Sequence, residues 1–70
     1  MKLWIFPTTA SHNEFWTEVE DDNNIVCPAT VQTAYEVLLE NVSERDAATI
    51  ERLAHQRGWP TQREGEDYKN

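Results

Sequence analysis

Cysteine is nearly missing from this sequence. Cys27 stands alone among 70 residues, so no internal disulfide can form, and the multi-cysteine frameworks of small secreted domains are excluded. The CxxC, HxxxH and HExxH patterns of zinc sites are missing as well. Glycine occurs twice, and neither Gly58 nor Gly65 sits in a Gly-rich phosphate loop. Long apolar runs are lacking: the N-terminal run over residues 3–6 falls far short of a signal-peptide core or of the roughly 20 residues of a membrane span. The cytoplasm is therefore the expected compartment, with no membrane partner. Basic side chains are few, six against thirteen acids, and the net charge of −7 repels nucleic acid and anionic membranes while attracting basic surfaces.

What is present is enough to fold. Hydrophobic residues make up 39% of the chain and include three Trp, two Phe and two Tyr, which separates it from highly charged disordered sequences. A chain this short buries only about 60% of the surface it exposes when unfolded, so one thin-cored domain is expected and a deep catalytic cleft is not. The charge is uneven. Residues 1–42 hold seven acids and one base, whereas residues 43–70 hold six acids and five bases.

Periodicity divides the chain into short elements. Residues 3–6 form an apolar run closed by Pro7, as suits a short strand. Over residues 14–20, Phe15, Thr17 and Val19 alternate with polar neighbours and predict a second strand. Asp21, Asp22, Asn23 and Asn24 then favour a turn into a third strand at Ile25, Val26 and Cys27. From Thr30, a candidate N-cap, the period changes, with Val31, Ala34, Tyr35, Leu38, Leu39 and Val42 on one helical stripe, which predicts a helix over 31–42. Ser43, Glu44, Arg45 and Asp46 form a capping box that opens a second helix over 43–57, with Ala47, Ile50, Leu53 and Ala54 as its buried stripe. Gly58, Trp59 and Pro60 supply a left-handed C-terminal cap, a hydrophobic contact and a stop. The expected fold is α+β in the order β-β-β-α-α, a three-stranded antiparallel sheet covered by an αα-hairpin. Its domain spans residues 1–60 and is followed by a polar, flexible tail over 61–70.

No pattern of catalytic chemistry stands out. Cys27 would need His12 or His55 beside it to act as a nucleophile, and its neighbours Ile25 and Val26 suit a small buried hydrophobe better. Glu51 and His55 lie one helical turn apart, which is two ligands where structural zinc takes four. The carboxylates lie in polar, turn-rich sequence rather than in a cleft that would raise a pKa. No enzyme activity, cofactor or metal is expected.

A binding role is expected instead. On a strand, Trp16 would point outward among Glu14, Glu18 and Glu20, and the turn acids Asp21 and Asp22 would extend the patch, with Glu36 and Glu40 enlarging it from a helix. An aromatic anchor rimmed by carboxylates suits a basic groove. The bland alternative packs Trp16 under the tail or against Trp4 and leaves the acids to solubilise an edge strand. A rival reading makes residues 31–57 a helix-turn-helix with Thr49, Arg52, Gln56 and Arg57 facing a major groove, against a net acidic charge. A third makes the chain a small obligate subunit or homodimer.

In size and charge the chain resembles small acidic phage-encoded inhibitors of bacterial defence or transcription machinery, including anti-CRISPR proteins and DNA mimics. Phe15, Trp16, Thr17, Glu18, Val19 and Glu20 are similar to a strand of coliphage inhibitors of bacterial RNA polymerase. The resemblance implies a stoichiometric inhibitor or adaptor, acting in the cytoplasm of a bacterium or phage-infected host. It implies a protein partner with a basic, nucleic-acid-handling surface and no direct contact with nucleic acid.

Overall fold

The computed structural model describes residues 1–9, 11–26 and 29–67. Cys27 and the end of the expected tail at Tyr68, Lys69 and Asn70 lie outside the described residues. The fold is α+β. Its elements are β1 (Leu3–Ile5), α1 (Asn13–Thr17) running on into a π-helical turn (Glu18–Asp22), β2 (Ala29–Gln32), β3 (Val37–Leu39), α2 (Glu44–Gln56) and β4 (Thr61–Arg63). The four strands make one antiparallel sheet in the order β2-β3-β1-β4. No helix among the described residues is long and apolar enough to cross a membrane.

β1 is central because it alternates cleanly. Leu3 and Ile5 are fully buried and pair with Leu39 and Val37 of β3, while Trp4 and its partner Leu38 are half-buried on the opposite face. The inner face of the sheet meets Phe15 and Val19 from the first helical segment and Ala47, Ile50, Leu53 and Ala54 from α2 in one core.

Four sequence expectations are corrected, the shortest being the third strand: Ile25 and Val26 lie in no strand, and the next strand begins at Ala29. Residues 14–20 are helical rather than extended. Phe15 and Val19 are both buried at 1% exposure, and a spacing of four satisfies a helix as well as a strand. Thr17 alone separated the two periods, and it is exposed. The acidic turn is likewise part of this helix. Asn23 donates its backbone N–H to the Glu18 carbonyl at 3.1 Å, an i to i−5 bond, and Asn24 ends the segment at φ 53°, a left-handed position that asparagine tolerates.

Residues 31–42 form two strands and a turn rather than a helix. The Thr33 hydroxyl accepts from the backbone N–H groups of Glu36 (3.0 Å) and Tyr35 (3.4 Å), and the Thr33 N–H donates to the Glu36 carbonyl at 2.8 Å. This closes a hairpin that buries Val37 and Leu39 completely and leaves Val31 and Tyr35 exposed. Pairing with β1 outweighs a helical stripe whose intrinsic propensity is weak at Thr30, Val31, Thr33 and Val37, all β-branched. The αα-hairpin is consequently replaced by two separate helical segments, and the sheet gains a strand.

That strand is β4, within the segment expected to be a flexible tail. Its register, Ile5 with Thr61 and Leu3 with Arg63, is extended by bonds from Phe6 N–H to the Pro60 carbonyl (2.9 Å) and from Glu64 N–H to the Lys2 carbonyl (3.0 Å). The helix over residues 43–57, by contrast, folds as its local signals predict. The Ser43 hydroxyl accepts from Asp46 N–H at 3.1 Å. At the other end Gly58, at φ 75°, donates to the His55 carbonyl, and Trp59 donates to the Ala54 carbonyl at 2.9 Å. This is the paired bonding of a Schellman ending.

Candidate functional site

The first helical segment concentrates the negative charge. Glu14, Glu20, Asp21 and Asp22 are all exposed along it. Glu18 is half-buried and, among the described residues, is the one acid of this group held by a base: its Oε1 accepts from Arg57 Nη1 at 3.0 Å. Arg57 also donates to the Leu53 carbonyl at 3.3 Å and lies over the rings of Phe15 (5.4 Å) and Trp59 (6.0 Å). It therefore clamps the acidic segment to the end of α2 through an ion pair and a cation–π stack. In the helix-turn-helix reading Arg57 would face a DNA groove. Its partner is 39 residues away, so no local pattern could have revealed it.

Trp16 is placed differently from the outward anchor expected on a strand. At roughly 100° per helical residue, it is turned about 200° from Glu14 and from Glu18. It is half-buried, packed against the core and edge-on to Phe15 at 4.9 Å. Its indole Nε1 is buried with no acceptor among the described residues. Glu36 and Glu40 are likewise not an i,i+4 pair on a helix. Glu36 is exposed in the β2–β3 turn, and Glu40 follows β3, where it accepts from the Thr30 hydroxyl at 2.9 Å and faces Lys2 Nζ at 3.7 Å. The acidic face is thus the helical segment, with Trp16 beneath it and Glu40 already paired.

Two shallow clefts flank His12. One, of about 490 Å³, is lined by Thr9, Ser11, His12, Glu14, Phe15, Arg57 and Trp59. The other, of about 410 Å³, is lined by Ser11, Asn13, Trp16, Gln32, Thr33 and Ala34 together with His12. The ring of His12 is buried, edge-on to Trp59 at 5.8 Å, and its Nε2 lies 3.1 Å from the Ala34 carbonyl. A carbonyl only accepts, so Nε2 carries the proton. His12 ties the start of α1 to the β2–β3 turn.

The other titratable clusters brace the scaffold. His55 Nε2 is 2.9 Å from the Thr61 hydroxyl, a base–hydroxyl pair in form, but Thr61 is fully buried and beyond the reach of a substrate. Glu51 does not turn to His55. Its Oε1 accepts from Arg63 Nη2 at 2.6 Å and Nε at 3.0 Å, with Glu44 3.9 Å from the same guanidinium. The hydrogen bond that Arg63 donates to Glu51 raises the Arg63 pKa above its ordinary value, against the effect of burial and with help from the charges of Glu51, Glu66 and Glu44. Among the described residues, no three His, Cys, Asp or Glu side chains come together as metal ligands.

The helix-turn-helix reading loses its first helix, because the stretch before Ser43 is β2, β3 and their turn. Phe15 to Glu20, the six residues similar to a strand of phage polymerase inhibitors, are helical here. No family model matches the chain, and neither a curated protein nor a solved structure does.

Proposed function

We propose that this chain is a non-catalytic protein-binding module, an inhibitor or adaptor, that docks its acidic helical segment on a basic, nucleic-acid-handling surface. The observation that carries the reading is the segment from Glu14 to Asp22, which bears five carboxylates and no base. Its length along the helix is about 12 Å at 1.5 Å per residue. With Glu18 paired to Arg57, four charges remain, about one per 3–4 Å, close to the one per 3.4 Å along a single strand of duplex DNA.

The arrangement also runs against local helix rules. Glu14 and Glu18 repel at i,i+4, no side chain caps the N-terminus, and Glu20, Asp21 and Asp22 crowd the C-terminal end where the dipole favours cations. Each of these costs a few tenths of a kcal/mol to about 1 kcal/mol. Acids kept at a helix end that disfavours them are what a surface selected for binding looks like. The likeness in size and charge to small acidic phage-encoded inhibitors, including anti-CRISPR proteins, supports the same reading.

The test reverses charge without touching the Glu18–Arg57 clamp. The variant Glu14→Lys, Glu20→Lys, Asp22→Lys should keep the fold by circular dichroism and lose a partner that the unmodified chain captures from a bacterial lysate. Duplex DNA should release that partner, and capture should weaken as salt rises. Equal capture by the variant, or indifference to DNA, removes the mechanism.

A further inference from the structure

The sheet has two open edges, and they are built differently. β4 is guarded by charge: Arg63 is held by Glu51 and Glu44, and Glu64 follows directly. β2 carries no charged side chain of its own; its only guards are its four-residue length and an irregular register between Ala29 and Val31. From Asn23 to Tyr35 no residue is charged, the longest such stretch in the chain. It also contains three of the large hydrophobics exposed among the described residues, Val26 (83%), Tyr35 (63%) and Val31 (37%). The Thr33–Glu36 bond sets the ladder so that Val31 and Leu38 are a hydrogen-bonded pair and Gln32 and Val37 are not. The backbone N–H and C=O of Gln32 therefore face away from the sheet. On the outer face, Trp4, Leu38 and Val31 form an apolar row across three strands that runs out at this edge, whereas its other end is closed by polar Gln62.

We infer that the β2 edge pairs with the β2 edge of a second copy of this chain, antiparallel about a twofold axis, to give a continuous eight-stranded sheet. The charge pattern favours a second copy over a basic partner. A basic partner would be met best by acids along the edge, whereas a partner that is itself at −7 can approach only where charge has been removed. The twofold brings Val31 beside its symmetry mate and continues the outer apolar row as Val31, Leu38 and Trp4 of the second copy. It also satisfies the outward peptide groups of Gln32. The inference is independent of the acidic-helix reading, and salt separates the two. Salt screens the repulsion between two like-charged copies and so strengthens self-association, but weakens docking on a basic surface.

Sedimentation velocity over a concentration series is the experiment. Dimer should form with concentration and form more readily at higher salt. Val31→Glu, which sets like charges across the twofold, should raise the dissociation constant by roughly tenfold or more. Gln62→Glu, at the far end of the row, should leave it unchanged. In the unmodified chain the Gln32 amide proton should exchange more slowly as concentration rises, a readout that needs no variant. A monomer at every concentration, or a dimer indifferent to Val31→Glu, overturns the inference.

Discussion

Phe15, Thr17 and Val19 show how little separates a strand from a helix at the level of single residues. Two apolar side chains four apart fit either period, and only the residue between them distinguishes the two. A polar, β-branched Thr17 favoured the strand on paper, and its exposure in the fold allows the helix. The same turn of the helix moves Trp16 from the rim of the acidic patch to the flank of the core. There its indole donor is buried with no acceptor among the described residues, a cost of about 1–3 kcal/mol in a fully desolvated site. Trp16→Phe gives up some packing and removes that donor, so the unfolding free energy should change by no more than about 1 kcal/mol. Phe15→Ala, which opens a cavity against Trp59 and Val19, should cost about 3–5 kcal/mol. Urea unfolding of the two variants checks the contrast; equal losses would mean that the indole N–H is satisfied in solution.

At the scale of elements, legibility follows where the specifying interactions lie. The helix after Ser43 is specified within its own span, by a hydroxyl cap, a four-residue apolar stripe and a glycine in the left-handed region, and is therefore legible in the sequence. The β2–β3 hairpin is specified partly by Thr33 and mostly by β1, which is far away in sequence. A stripe at helical spacing hid the alternation of Val37 and Leu39. The local contribution is testable. Thr33→Val keeps the shape and removes the hydroxyl that accepts from Tyr35 and Glu36. It should destabilise the protein by about 1–2 kcal/mol. Hydrogen exchange at the Glu36 amide should speed up before global unfolding, and an unchanged rate would assign the turn wholly to the strands around it.

Across the whole molecule, the chain ends act as structure. The terminal ammonium of Met1 donates to the Val42 carbonyl, the Val42 N–H returns a bond to the Met1 carbonyl, and β4 closes the opposite side of β1. A polar three-residue strand has no hydrophobic signature, so residues 61–63 looked like tail. Truncation after Pro60 would delete the buried Thr61 and the Arg63–Glu51 pair, leaving Glu51 without its base. The truncated chain should lose several kcal/mol and fail to fold cooperatively. Melting identical to that of the full chain would make β4 dispensable.

Composition and short-range spacing were sufficient to establish a small α+β chain, a strongly acidic N-terminal part and the capped helix that braces it, because those properties are sums over residues or contacts within a turn or two. Only the tertiary structure decided that the acids ride on a helix, that Arg57 neutralises Glu18 alone, and that one sheet edge is left bare of charge. Each of these depends on contacts between residues far apart in the chain, where the same local pattern is compatible with two conformations and burial chooses between them.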